Sequence, residues 1–131
     1  MNDDLFETGL AIRKAVLGAE FVERSLASAD EFNQAFQRLV TEYCWGAVWG
    51  REELPKKTRS MLNLAMLSAL NRPHELTLHV AGALRNGVTT VEIREVLLQV
   101  AIYCGVPAAV EAFRVAREAI NDYERDHGAQ L

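Results

Sequence analysis

The side chains best suited to chemistry lie together in the segment NRPHELTLHVAGALRNG and are Arg72, His74, Glu75 and His79. Glu75 and His79 are four residues apart, so on a helix they share one face and their side chains can touch. A carboxylate beside an imidazole holds its tautomer and raises its pKa, which suits a proton donor or relay near neutral pH. An ordinary exposed pair is the alternative, and His74, one step round the helix, is expected at the surface.

Arginines near this segment could bind an anionic substrate. Arg72 lies at the predicted start of the helix, where unpaired backbone N–H groups and the helix dipole favour an anion. The planar fork of an arginine also matches a carboxylate. Arg51 and Arg59 are further candidates, and each of the three could instead be a structural partner for Glu52, Glu53 or a helix C-terminus.

Both tryptophans of the chain lie in the segment YCWGAVWGR, which ends at Arg51. Trp45 and Trp49 alternate there with glycines, which let backbone and ligand approach closely. The segment can therefore be the wall of a pocket. Two aromatic side chains that fill the core at a helix end are the alternative.

Start and stop signals divide the chain into helices. Apolar residues recur every three or four positions, and no alternation typical of strands is present. We therefore expect an all-α fold of six to seven helices in a single domain, residues 1–131. The signals are glycines, prolines and capping boxes at Gly18, Ser28–Glu31, Pro55, Pro73, Gly87, Thr89–Glu92, Gly105 and Pro107.

The apolar surface exceeds what the predicted helices can cover. One stripe of helical period includes Phe32, Phe36 and Tyr43. The runs Met61–Leu70 and Val91–Tyr103 are apolar nearly all round, so both helices are expected to be covered on every side. Four or five amphipathic helices can hardly achieve this, and the excess indicates a homo-oligomer.

Composition excludes several classes of protein. The net charge of −4 and the lack of a basic stripe argue against nucleic-acid binding. The N-terminal segment MNDDLFETG has no feature of a signal peptide, and the run Met61–Leu70 is about half as long as a membrane span. We therefore expect a soluble cytoplasmic protein without a membrane partner.

Cysteine and histidine spacing predicts no metal site. Cys44 and Cys104 each lie in an apolar helical segment, which favours buried free thiols. A disulfide or a catalytic thiol is the alternative. The histidines of HELTLH are five residues apart rather than four, so they do not form the zinc-binding HExxH pattern.

Nearly the whole chain resembles the carboxymuconolactone decarboxylase family. The resemblance rests on RSMLNLAMLSALNRPHELTLHVAGALRNGVTTVEIREVLLQVAIYCGVPAAVEAF and on the preceding YCWGAVWGREELPKKTRS. It implies an all-helical, alkylhydroperoxidase-D-like fold assembled as a ring-like oligomer, commonly a hexamer.

Thiol peroxidases of the same family carry the motif CxxCxxxH and a glutamate on the preceding helix. Aligned on His79, the two cysteine positions fall on Arg72 and Glu75, and the glutamate position falls on Ser60. Without a dithiol there is no disulfide cycle to reduce a peroxide. This departure from the motif favours the decarboxylase branch.

The resemblance implies decarboxylation of 4-carboxymuconolactone to 3-oxoadipate enol-lactone and CO2, in the protocatechuate branch of the β-ketoadipate pathway. The departing carboxylate of this anionic lactone is conjugated to the lactone carbonyl. The lactone itself can therefore take up the electrons, and no cofactor is needed.

We expect His79, oriented by Glu75, to donate a proton or to stabilise the oxyanion. The substrate carboxylates or the enolate oxygen would be bound by arginines, and aromatic side chains would exclude water. The predicted binding residues are Arg72, Arg51, Arg59, Trp45 and Trp49.

Three alternatives remain open from the sequence. The enzyme could act on another lactone or keto acid, since fold and motif do not fix the substrate. The protein could instead be a ligand-binding oligomer without activity. A thiol peroxidase that uses Cys44 or Cys104 is the least favoured.

Overall fold

The computed structural model describes residues 2–128, which form seven α-helices, one π-helix and short connections, with no strand. The helices are α1 (Asp3–Leu17), α2 (Ala19–Ala27), α3 (Gln34–Leu39), the π-helix (Val40–Val48), α4 (Lys56–Ala69), α5 (Pro73–Arg85), α6 (Thr90–Tyr103) and α7 (Val106–His127). The expected all-α fold is confirmed.

Most predicted helix ends are confirmed. Gly18, Gly87 and Gly105 have φ angles of 95°, 89° and 103°, a backbone conformation that glycine adopts at little cost. At the start of α6, Thr89 Oγ1 accepts the Glu92 backbone N–H, and the Glu92 carboxylate accepts the Thr89 backbone N–H. These ends set the boundaries of α5 and α6.

The capping box expected at Ser28 and Glu31 is wrong. Ser28 closes α2 with its backbone N–H, and α3 begins only at Gln34. The gap is a turn in which the Asp30 carboxylate accepts two backbone N–H groups. Aspartate at a turn competes locally with helix capping, and here its turn delays the next helix.

The chain forms two compact units, one ending at Pro55 and the other beginning at Lys56, and each is described by itself. The single domain expected from the sequence stays a prediction. In the N-terminal unit, α1 packs against the π-helix at Gly9. A Cβ atom at this position would overlap the Thr41 carbonyl oxygen and lie 2.7 Å from Gly46 N. Gly9 is therefore required by the close approach of the two backbones.

The C-terminal unit has a core built from one face of each of its four helices. This core holds α5 in place, because the inner face of α5 lies entirely within it. Its buried residues are Leu64, Leu76, Val80, Ala83, Leu84, Val88, Ile93, Leu97, Ala112, Val115, Ala116 and Ala119.

Within residues 2–128 the apolar helices are not covered on every side, and the excess apolar surface expected from the sequence is present. On α4, Leu62 and Met66 are exposed at successive turns, as is Leu70 just after the helix, while Leu64 is fully buried. On α6, Ile102 is 79 % exposed. The predicted apolar stripe that begins at Phe32 is likewise exposed. Solvent-facing apolar residues at helical spacing form continuous apolar faces on these helices.

The two cysteines are free, as expected, but both are exposed rather than buried. At Cys44 the surroundings still withhold enough water to raise the pKa of the thiol, because burial outweighs the opposing charge of Arg13. A thiol with a raised pKa is a poor nucleophile at neutral pH.

Among the helices of residues 2–128, none has the length and apolar character that crossing a membrane requires.

Candidate active site

Helix α5 brings the candidate residues of the C-terminal unit to one side of the core. Pro73 lies in its first turn, as predicted, and Arg72 precedes it at the N-cap. Leu76 and Val80 anchor the inner face of the helix in the core. The residues between them are therefore fixed in direction by core packing.

His79 lies half-buried on α5 and contacts the neighbouring helix α4. Its Nδ1 atom is 3.4 Å from the amide nitrogen Nδ2 of Asn63. Burial lowers the pKa of the imidazole below its ordinary value of 6.5, because a charged ring would lose water. His79 is therefore neutral at neutral pH and can act as a hydrogen-bond donor there.

The pKa of His79 is lowered overall, although the Glu75 carboxylate on the same helix was expected to raise it. Burial has the larger effect and lowers the pKa of the imidazole, while the negative charge of Glu75 opposes it. Glu75 itself is exposed in the first turn of α5. Its charge is thus partly screened by water and cannot offset the loss of solvent around the ring.

Replacing Glu75 with glutamine is expected to lower the pKa of His79 further, because the carboxylate that favours the imidazolium is lost. An NMR titration of the ring should show its midpoint, already below 6.5, at still lower pH. An acid limb of activity caused by His79 should move in the same direction. Glu52→Gln, another exposed glutamate, is the control. An unchanged midpoint in Glu75→Gln would contradict this coupling.

Burial of a neutral His79 also links stability to pH. The unfolded chain binds a proton below pH 6.5, whereas the folded chain resists doing so until its lower pKa is reached. The stability of the fold is therefore unaffected by this group above pH 6.5 and decreases as the pH falls through the window below that value.

Arg72 and His74 are exposed at the start of α5, as expected for His74. His79 follows Arg72 by seven positions, which is about 10 Å along a helix. Arg72, at the N-cap of α5, and His79 thus lie about two helical turns apart.

Helix α4 contributes Arg59, Ser60 and Asn63 to this region. Arg59 and Asn63 are half-buried, whereas Ser60 is fully buried and accepts a hydrogen bond of 2.9 Å from the Asn86 amide. Asn63 was missed in the sequence because a lone asparagine in an apolar run carries no motif. Its position sixteen residues before His79 becomes informative only when two adjacent helices pack together.

The remaining candidates belong to the N-terminal unit. Trp45 and Trp49 are buried, with ring centroids 4.9 Å apart and planes inclined by 29°. This packing favours the alternative in which they fill the core. Arg51 is exposed and forms an ion pair of 3.6 Å with Glu53, also as the structural alternative predicted.

A cleft of the C-terminal unit lies elsewhere, between α6 and α7, and has a volume of about 610 Å³. Its floor includes Ile93 and Leu97, and Arg94, Arg114 and Arg117 line it. The described residues that line it do not include His79, Glu75 or Arg72. This cleft and the candidate catalytic side chains therefore lie in different places. We place the candidate site at α5 because the half-buried imidazole of His79 lies there. Within residues 2–128, no three His, Cys, Asp or Glu side chains converge as metal ligands would.

Comparison with known proteins decides the family. The profile of the Carboxymuconolactone decarboxylase family matches residues 34–118, which include α4, α5 and α6. The chain belongs to the carboxymuconolactone decarboxylase family. The resemblance read from the sequence is thereby confirmed, and the family's shared segment contains Arg72, Glu75 and His79.

Two relatives match almost the whole chain. Nitrosuccinic acid decarboxylase npaB of Metarhizium robertsii is 47 % identical over 92 % of this chain and 87 % of its own length. The 4-carboxymuconolactone decarboxylase of Acinetobacter baylyi is 42 % identical over 93 % of this chain and 92 % of its own length. These matches support a carboxymuconolactone-type decarboxylase, that is, a carboxy-lyase.

Proposed function

We propose that this protein decarboxylates 4-carboxymuconolactone to 3-oxoadipate enol-lactone and CO2 without a cofactor. The observation that carries the proposal is the half-buried, neutral His79, in a chain 42 % identical to a 4-carboxymuconolactone decarboxylase. A neutral imidazole suits this reaction because it can donate a hydrogen bond to a developing enolate without first carrying a charge.

In the proposed step, the bond between the ring carbon and the departing carboxylate breaks, and CO2 leaves. The electron pair of that bond enters the conjugated ring, and the lactone carbonyl oxygen gains negative charge. A proton then adds to carbon and gives the enol-lactone. The protein must therefore hold the second carboxylate, stabilise one oxyanion and deliver one proton.

We assign the oxyanion to His79 and the second carboxylate to Arg72 at the N-terminus of α5. Arg59, half-buried on α4, is a further ligand for substrate oxygens in this proposal. The roles of Arg51, Trp45 and Trp49 stay predictions, and their local contacts favour structural roles.

A second substrate, nitrosuccinic acid, is favoured by the 47 % identity to a nitrosuccinic acid decarboxylase. Both substrates are dicarboxylic acids in which the electron pair left by CO2 can move onto an oxygen, of a lactone in one and of a nitro group in the other. The same donor and the same carboxylate site would serve both reactions. The site chemistry therefore does not separate the two substrates, and turnover must.

The deciding experiment is to incubate the purified protein with each acid and measure CO2 release and substrate loss. We expect kcat/KM for 4-carboxymuconolactone to exceed that for nitrosuccinate by about tenfold or more, which is about 1.4 kcal/mol in transition-state binding. The same rate is expected after treatment with a chelator. The reverse preference would transfer the assignment to nitrosuccinate, and binding without CO2 release would favour the ligand-binding oligomer.

We also propose that the protein works as a cytoplasmic homo-oligomer, with six subunits as the expected number. The support is the exposed apolar surface at Leu62 and Met66 of α4, at Leu70 just after that helix, and at Ile102 of α6. Surfaces of this kind are unfavourable in water and are typical of interfaces between subunits. Analytical ultracentrifugation would show a monomer at all concentrations if the proposal is wrong.

A further inference from the structure

We propose that Asn63 is a positioning residue that holds His79 in the tautomer with its proton on Nε2. This assignment concerns a residue of α4 for which the sequence provides no functional motif. The use of the Nε2 proton in catalysis rests on the proposed decarboxylation, whereas the tautomer itself is a property of the free protein.

The orientation of the Asn63 amide determines the polarity of its contact with His79. Asn63 directs its amide nitrogen Nδ2 at Nδ1 of His79, at a distance of 3.4 Å. An amide NH2 group donates hydrogen bonds and does not accept them. The contact is therefore attractive only when Nδ1 carries a lone pair, and a neutral ring with that lone pair has its proton on Nε2.

The other protonation states are disfavoured by the same contact. The Nδ1–H tautomer and the imidazolium both carry a proton on Nδ1. In either state the N–H group of the ring would point at an N–H group of the Asn63 amide. Burial of the ring acts in the same direction against the imidazolium, while the exposed carboxylate of Glu75 on α5 opposes it. The neighbouring part of α4 carries the charged Arg59 as well as the neutral side chains of Ser60 and Asn63, and the positive charge of Arg59 also disfavours an imidazolium.

The tautomer determines which end of the ring can act as a donor. With Asn63 on Nδ1, the opposite nitrogen Nε2 carries the hydrogen that a developing enolate oxygen needs. The Nδ1–H tautomer would instead place a lone pair at Nε2, which repels an oxyanion. A fixed tautomer also spares the enzyme the cost of selecting one during each turnover.

The tautomer of His79 can be measured in the free protein by long-range ¹H–¹⁵N correlation NMR of the imidazole ring. We expect the Nε2–H form in the unmodified protein, and this holds whether or not any tested acid is a substrate. Observation of the Nδ1–H form in the unmodified protein would overturn the proposal, irrespective of the outcome with variants.

Substitution of Asn63 by aspartate reverses the polarity of the contact, since a carboxylate accepts hydrogen bonds. We expect the Nδ1–H form in Asn63→Asp and a mixture of tautomers in Asn63→Ala. Asn121→Ala, an exposed asparagine on α7, is the matched control and should leave the ring unchanged. Folded variants that keep the parental tautomer in both Asn63→Asp and Asn63→Ala would contradict the proposal.

Activity provides a separate readout. In Asn63→Asp we expect kcat for the accepted substrate to fall at least tenfold, with KM changed less than threefold. The tautomer of His79 controls the hydrogen-bond donor in the transition state and affects binding of the substrate much less. A rise in KM with unchanged kcat would contradict positioning. If neither substrate is turned over, the proposed function fails while the NMR result on the tautomer still stands or falls by itself.

Discussion

Replacing His79 by alanine is expected to slow decarboxylation by about 10²–10³-fold, the usual loss when one oxyanion donor is removed. The imidazole is neutral because burial lowers its pKa, so the loss concerns a hydrogen-bond donor rather than a positive charge. A donor of this kind acts mainly in the transition state, when the oxygen carries negative charge. The effect should therefore lie in kcat rather than in KM.

His74→Ala is the matched control for this experiment. His74 is exposed on the same helix, so the substitution removes an identical side chain without removing the proposed donor. Its rate should stay within about twofold of the parent, as surface substitutions are mostly mild. His79→Gln retains an N–H donor and should recover part of the rate. Nearly unchanged rates in folded His79→Ala would remove His79 from the mechanism.

Replacing Gly9 by alanine is expected to destabilise the N-terminal unit by about 3 kcal/mol, at the upper end of the usual cost of overpacking. The added Cβ atom would meet backbone atoms of the π-helix, the Thr41 carbonyl oxygen and Gly46 N. Backbone atoms cannot rotate away as a side chain can. By helix propensity alone the same substitution would stabilise α1 by roughly 1 kcal/mol, so the sign of the change distinguishes the two effects.

Denaturant unfolding followed by tryptophan fluorescence would measure the effect of Gly9→Ala. Both tryptophans lie in the N-terminal unit, so their emission reports on that unit. Thr8→Ala, at the exposed neighbouring position of α1, is the control and should be neutral or slightly stabilising. A more stable Gly9→Ala protein would show that the two backbones can separate at no cost.

The helices could be predicted from the sequence because their ends depend on local chemistry. Glycine at positive φ and the capping box at Thr89 act within a few residues, so their signals are visible without the fold. The π-helix could not be predicted, because its i→i+5 hydrogen bonds leave no distinctive pattern in the apolar residues. The capping box predicted at Ser28 and Glu31 is absent because the turn formed by Asp30 competes with it.

The candidate site was predictable only in part. The spacing of Glu75 and His79 correctly indicated electrostatic coupling, since neighbours on one helix are fixed by sequence. The direction of the pKa shift was not predictable, because it depends on burial by other helices. Asn63 and the burial of Trp45 and Trp49 likewise result from packing between distant segments.

The exposed apolar face of α4 has a consequence for how much of the protein is folded in solution. Leu62, Met66 and Leu70 gain from burial only when another surface covers them. In the proposed homo-oligomer, each copy is a ligand that binds the folded chain and not the unfolded one. Thermal stability then increases with protein concentration, and a cell that makes little of the protein has a less stable enzyme, not merely less of it.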